Sequence, residues 1–464
     1  MNHIFAIALL LYLVLFIIIG IIDSRNIKSF TDYSVAGKKQ TSLSVIMTLL
    51  ATVIGASTTI GITTTVYNIG FPGIWWLAFG AVGLVLQSVF LSEKVRNIGA
   101  DTLPDLAGKI VGLRAEIIIS LIIVISWVGV IAGQLVAMNS LITFALGKSN
   151  KFIFIATSVI VIAYTAIGGQ ISVVKTDKVQ LIIILVGVTV CMGYLYITKG
   201  DNNAAIYRNI DLLNDDYRVS NLVTQFFVIG GVYFLGPDIM SRNFISKDGK
   251  TAKRAALTAG VVLLLFSVVI TLIGMWIKYN ITPEEMGDME ALMYAVSIMP
   301  GWIAVLLVFG LLSAILSSTD TCIINASSIF VKDILRKESV AAVRITVIVI
   351  GLISLLLAAL GQGDIMSLLT GAYSIYTPGV IFPLMIAIFA NKKRRINTGI
   401  WTAAVVSGGL FGILGTYFGS ALSNIGVPDV IMQNLTSIGM WLSLVLSILS
   451  VGRNNTTEKN VEDK

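Results

Sequence analysis

Apolar residues in this chain fall into long runs rather than alternating with polar ones. Thirteen runs read as membrane spans: 4–22, 42–67, 72–93, 115–146, 152–168, 172–197, 221–243, 255–277, 300–331, 340–360, 366–390, 398–420 and 432–451. Each has about 17 residues or more, enough for a helix to cross the hydrocarbon core. The pattern predicts an all-α polytopic membrane protein. No Lys or Arg precedes the first run and no small-residue cleavage site follows it, while Arg25 and Lys28 come just after. It reads as a retained helix entering from outside.

Charge sharpens this reading. Of 464 residues, 56% are hydrophobic and 12% charged, about half the charge of a soluble domain. With the N-terminus outside, 26 of the 32 Lys and Arg residues fall on cytoplasmic segments and 6 outside, as the positive-inside rule requires. The net charge of +7 is therefore an orientation signal and does not point to nucleic acid. The expected place is the plasma membrane, with the C-terminus in the cytoplasm. The acidic stretch Glu284, Glu285, Asp288 and Glu290 reads as a solvated outer loop, and 199–220 is too short a polar insert to hold a core. Cys191 and Cys322 form no metal or disulfide framework. The single histidine, His3, argues against zinc or Ser–His intramembrane enzymes.

Two spans look interrupted. The second carries Ala51-Thr-Val-Ile-Gly55-Ala-Ser-Thr-Thr, and the seventh carries Gly230-Gly231 and Gly236-Pro237. Such breaks can merely kink or pack a helix. Their spacing, five spans apart, suits a five-plus-five inverted repeat with a site at the breaks. In the ninth span Ala314, Ser317, Ser318 and Thr321 share one face. Two hydroxyls with carbonyls freed at a break suit a hard cation such as Na⁺; close Ser/Thr packing on a neighbouring helix is the other reading. Asp320 lies in the same run, where a carboxylate is expensive. Asp177 opens the sixth span between Lys175 and Lys178, so a helix-entry ion pair competes with a role in cation handling.

At these residues the chain resembles the sodium/solute symporter family, which includes sugar, proline, pantothenate, sialic acid and choline transporters. The likeness is carried by four segments: Tyr164-Thr-Ala-Ile-Gly-Gly-Gln-Ile-Ser-Val-Val-Lys-Thr-Asp177-Lys-Val-Gln180; Ser241-Arg242 and the loop after it; Ser313-Ala-Ile-Leu-Ser-Ser-Thr-Asp-Thr321 with Asn325 and Asp333; and Thr102-Leu-Pro-Asp105. The resemblance implies a leucine-transporter-like fold. One transporter domain would cover 1–452, with an extra helix at 4–22, repeats at 42–197 and 221–390, and two helices in 398–451; 453–464 would be a disordered cytoplasmic tail. It also implies a Na⁺ site built from the carbonyls of Ala51, Ile54 and Ala314 and the hydroxyls of Ser317 and Ser318. Asp177, Asp320 and Thr321 would form a second Na⁺ or release site.

The implied activity is Na⁺-coupled symport of a small organic solute by alternating access. Val53 and Pro237 stand where aromatic cage residues for choline would be, and Thr58, Leu77 and Ile229 where sugar-binding amides and acids would be. No arginine for a sialic acid carboxylate is evident in the spans. A small zwitterionic or neutral solute such as an amino acid remains, with Ser57, Thr58, Gln134, Tyr233, Phe234, Tyr373 and Tyr376 as candidate contacts. Proton coupling through Asp177 and Asp320, or a sensor that binds without transport, are the alternatives. The sequence leaves the oligomeric state open.

Overall fold

The structure, a computed structural model, describes residues 2–199, 203–287, 289–361, 364–390, 394–418, 422 and 428–453. Helices make up nearly all of it. We number the long ones α1 (Asn2–Ser24), α2 (Ser42–Val53), α3 (Ser57–Ile69), α4 (Phe71–Phe90), α5 (Leu113–Leu146), α6 (Lys151–Thr198), α7 (Val219–Ile245), α8 (Gly249–Asn280), α9 (Gly301–Ile334), α10 (Val340–Ala359), α11 (Ile365–Phe389), α12 (Thr398–Tyr417) and α13 (Asp429–Leu449).

Among the described residues, nine helices are long and apolar enough to cross a membrane, and ten if α2 and α3, bent by 60°, make one span. Part of the difference from thirteen has a local cause. The runs 152–168 and 172–197 are joined in α6, whose 48 residues turn at Gly169 (φ 56°, ψ −166°). Only glycine adopts such a backbone without strain. Its α-hydrogen side faces the Tyr33 ring, which a Cβ would approach to 2.8 Å.

The bundle turns apolar side chains outward, as lipid requires. On α10, Ile345, Ile348, Val349, Leu352 and Leu356 form an exposed stripe at helical spacing, while Val343, Val347, Ile350 and Ser354 are buried. Hydroxyls and charges collect inside the bundle instead.

Polar ties close each end. At one end, Lys332 pairs with Asp101 and, at 3.0 Å, with Asp105; Lys38 also pairs with Asp101. The Thr102 hydroxyl donates to Asp333 at 2.7 Å, and Arg336 to Glu116 at 2.8 Å. At the other end, the Trp75 indole donates to the Leu212 carbonyl at 2.8 Å and Asn214 to Ile69 at 2.7 Å, so the polar insert is tied down. The acidic stretch is partly ordered: Thr282 caps a turn at Pro283–Met286, and Glu290 accepts the Thr64 hydroxyl at 2.6 Å. It is thus not simply a solvated loop; Asp288 lies outside the described residues.

After α13, Val451–Arg453 pairs antiparallel with Arg394–Ile396. Arg453, expected in a disordered tail, is therefore in a strand, and 454–464 lie outside the described residues.

Candidate functional site

The α2–α3 break exposes backbone. Ile54 leaves the helix at φ −90°, ψ 78°. Gly55 donates its N–H to Thr58 Oγ1 at 2.8 Å, so the Ala51 carbonyl loses its helical donor. Ala56 donates to Gln134 Oε1 on α5 at 3.2 Å. The Thr52 carbonyl, left without Ala56, accepts the Ser318 hydroxyl at 2.8 Å. Gly55 is required here because a Cβ would run into Ser318 Oγ.

Ala51, Ile54, Ala314 and Ser317 are fully buried and Ser318 nearly so. Ser317 donates to Asp177 Oδ1 at 2.5 Å. Both serine hydroxyls point their hydrogens at acceptors, which leaves their oxygen lone pairs for a cation. A freed backbone carbonyl and buried hydroxyl oxygens are donors of the kind a hard monovalent cation takes.

The second expected group is divided. Asp320 accepts from the Tyr164 hydroxyl at 2.6 Å and from Thr165 at 2.6 Å. Thr321 and Asp177 instead share Arg242, at 2.6 Å and 3.5 Å. Thr48 donates to Asp177, and Arg242 also reaches Thr52 and Ser241. Asp177 therefore does not pair with Lys175 or Lys178; Lys175 pairs with Asp23. Arg242 is 1% exposed and lies in the last turn of α7, a buried cation within the seventh expected span and not a loop charge.

The seventh-span break lies alongside. Gly236 is extended (ψ 143°), and Pro237 starts a new helical turn, where its missing N–H is harmless. A cavity between the two breaks is lined by Gly55, Ser57, Gln134, Tyr233, Asp238 and Tyr373, with Ser318 in its wall. It is narrow, about 30 Å³. Of the seven expected solute contacts, Ser57, Gln134, Tyr233 and Tyr373 meet there. Thr58 turns inward to hold the break, donating to the Val53 carbonyl at 3.0 Å. Phe234 lines a separate apolar cavity with Phe226 and Phe382, and Tyr376 donates to the Leu235 carbonyl at 2.6 Å. Sequence reasoning missed Asp238 and counted Arg242 only among the cytoplasmic charges. Both sit near the end of the seventh run, and the signal was a charge within an otherwise apolar window.

A model of the sodium:solute symporter family matches residues 33–406. The sodium/proline symporter of Escherichia coli (strain K12) is 25% identical over 448 residues, covering 86% of this chain and 87% of that one. The high-affinity choline transporter 1 of Caenorhabditis elegans is 24% identical over 399 residues, covering 76% and 68%. A solved structure of a Na⁺-coupled sialic acid symporter, outward-open and substrate-bound, overlays with a TM-score of 0.76 at 17% identity, over 97% of this chain and 99% of that one. This last likeness establishes the fold. The family and these relatives are transporters and not enzymes. The chain belongs to the sodium:solute symporter family, a group of multi-pass membrane transporters.

Proposed function

We propose that this protein is a Na⁺-coupled symporter of a small organic solute, an amino acid or a similar compound, working by alternating access in the plasma membrane. The N-terminus would lie outside and the end bearing Lys38, Lys332 and Arg336 in the cytoplasm. The observation that carries the reading is the break after Val53. It frees the Ala51 carbonyl, sets the Thr52 carbonyl against the Ser318 hydroxyl, and forms one wall of the cavity lined by Ser57, Gln134, Tyr233 and Tyr373.

Ala51, Ile54, Ala314, Ser317 and Ser318 would coordinate Na⁺, and Ser318 would join that site to the solute cavity. Na⁺ held there ties α2 to α9 and sets the cavity wall, which makes solute binding depend on the ion. The cavity is too narrow for an amino acid, so loading requires the wall to open. The two breaks flanking one cavity support the five-plus-five repeat, and the turn in α6, with α1 at 23 residues and α13 at 21, supports thirteen crossings. Arg242 beside Asp177 and Thr321 already supplies a fixed cation where a second Na⁺ would sit, which favours one Na⁺ per cycle. About 100 mV gives roughly 2.3 kcal/mol per charge, and a tenfold gradient about 1.4 kcal/mol. Together these support solute accumulation on the order of 500-fold.

The test is melting of the purified protein in NaCl against KCl, with and without candidate solutes. Na⁺ should raise the melting temperature, and a solute should add to the shift only with Na⁺ present. A melting temperature equal in both salts at every pH would sink the Na⁺ reading.

A further inference from the structure

Asp238 is the one acidic side chain lining the cavity between the two breaks, and no Lys, Arg or His lines it. It stands at the second position of the short helix Pro237–Ile245. An acid in the first turn of a helix is ordinary. A buried carboxylate oxygen with no donor is not, and Asp238 Oδ1 is closed off without a hydrogen-bond partner. Arg242, one turn further on, does not supply one: its ion pair is with Asp177, and its other hydrogen bonds go to Thr52, Thr321 and Ser241. The carboxylate is met by the backbone N–H groups of Asp238 and Ile239 and lies within the field of Arg242, yet no side chain donates to Oδ1, so the cavity keeps an acceptor for which a charged partner with hydrogens to donate is worth most.

The other walls fit such a partner. Tyr233 and Tyr373 offer apolar ring surface. Gln134 uses its oxygen on the Ala56 N–H, which leaves the amide nitrogen as the donor end for a carboxylate or carbonyl. We propose that Asp238 is the solute-recognition carboxylate of this cavity, and that the solute carries a protonated amine with at least one N–H. Primary or secondary amines and amino acids qualify. Quaternary ammonium ions do not, because they have no hydrogen to give Oδ1. The inference rests on the symport reading for its site, but its test does not depend on Na⁺.

The experiment measures melting shifts of the full-length protein with matched solutes, each with and without NaCl. L-proline and pyrrolidine are compared with tetrahydrofuran-2-carboxylate and tetrahydrofuran, in which oxygen replaces the N–H. L-alanine and cadaverine are added as open-chain amines, and choline and glycine betaine as quaternary ones. At least one N–H amine should stabilise the protein at a concentration at least tenfold below its oxygen or quaternary counterpart. Asp238→Asn, checked by monodisperse elution, should lose that preference at least tenfold, and Asp238→Glu should recover part of it. Stabilisation by an oxygen or quaternary analogue as strong as by the amines would overturn the proposal. So would the absence of a shift with every amine, or an unchanged preference in Asp238→Asn. A Na⁺ effect missing while amines still bind would count against symport and leave the role of Asp238 standing.

Discussion

The Ser318 hydroxyl donates to the Thr52 carbonyl at 2.8 Å, across the gap between α9 and the broken end of α2. Few polar contacts join the two helices at this level, and it sits where the cation site and the solute cavity meet. Losing both neighbouring hydroxyls should weaken Na⁺ binding first. Ser317→Ala with Ser318→Ala should raise the half-saturating Na⁺ concentration at least tenfold, equivalent to about 1.4 kcal/mol. Na⁺ titration of the melting temperature checks this, and a wild-type midpoint would dismiss the site.

Gly55→Ala would drive a Cβ against Ser318 Oγ. The α2–α9 contact must then open, at a cost of about 1–3 kcal/mol. We expect a lower melting temperature and weaker Na⁺ stabilisation together. Unchanged Na⁺ response would mean the two helices can separate without disturbing the ion.

Asp177 and Arg242 are a buried pair whose partners are hydroxyls. Neutralising one leaves an unmatched charge, with a penalty of roughly 3–5 kcal/mol. Asp177→Asn should therefore melt several degrees lower, and Asp177→Asn with Arg242→Met should regain part of the loss. Strict additivity of the two single effects would show that they do not act as a pair.

If Arg242 stands in for a second ion, transport should depend hyperbolically on Na⁺. Initial uptake rates against Na⁺ concentration in proteoliposomes read this directly. A sigmoidal dependence with a Hill coefficient near two would restore a second site.

At the Lys332 end, burial pushes the Asp101 carboxyl up, but the Lys332 and Lys38 ammonium groups overcome it and hold it below its usual 3.8. Asp105 is likewise held low against burial, by the Asp101 backbone N–H and Lys332. A depressed carboxyl stabilises the fold above its unfolded value and loses that contribution as pH falls through the folded one. The tie should thus hold at neutral pH and fail only below about pH 3.8. Lys332→Ala should narrow the difference in melting temperature between pH 7 and pH 3. An equal difference in wild type and variant would show that this tie is not what acid breaks.

The spans were legible because lipid demands long apolar runs and allows few exceptions. The break near Gly55 was legible for a related reason: glycine among β-branched and hydroxyl residues is a poor helix interior. Side-chain direction was less so. Tyr233 and Phe234 are neighbours, about 100° apart around a helix, and only Tyr233 faces the cavity. Tyr373 and Tyr376 divide in the same way, one on the cavity and one hydrogen-bonded to Leu235. Adjacent aromatics cannot be told apart without knowing how the helix is rotated. Arg242 was misread because a charge at the edge of an apolar run looks like a loop residue. Its burial depends on Asp177, 65 positions earlier, coming to meet it.

The pairing of Arg394–Ile396 with Val451–Arg453 fastens the outer ends of α12 and α13 into one hairpin. Its second strand is made only after α12 and α13. During synthesis the clasp can shut only after α12 and α13 have both been made. Closing this clasp therefore waits for both helices, and a chain cut short before Val451 would reach the bilayer with α13 unfastened.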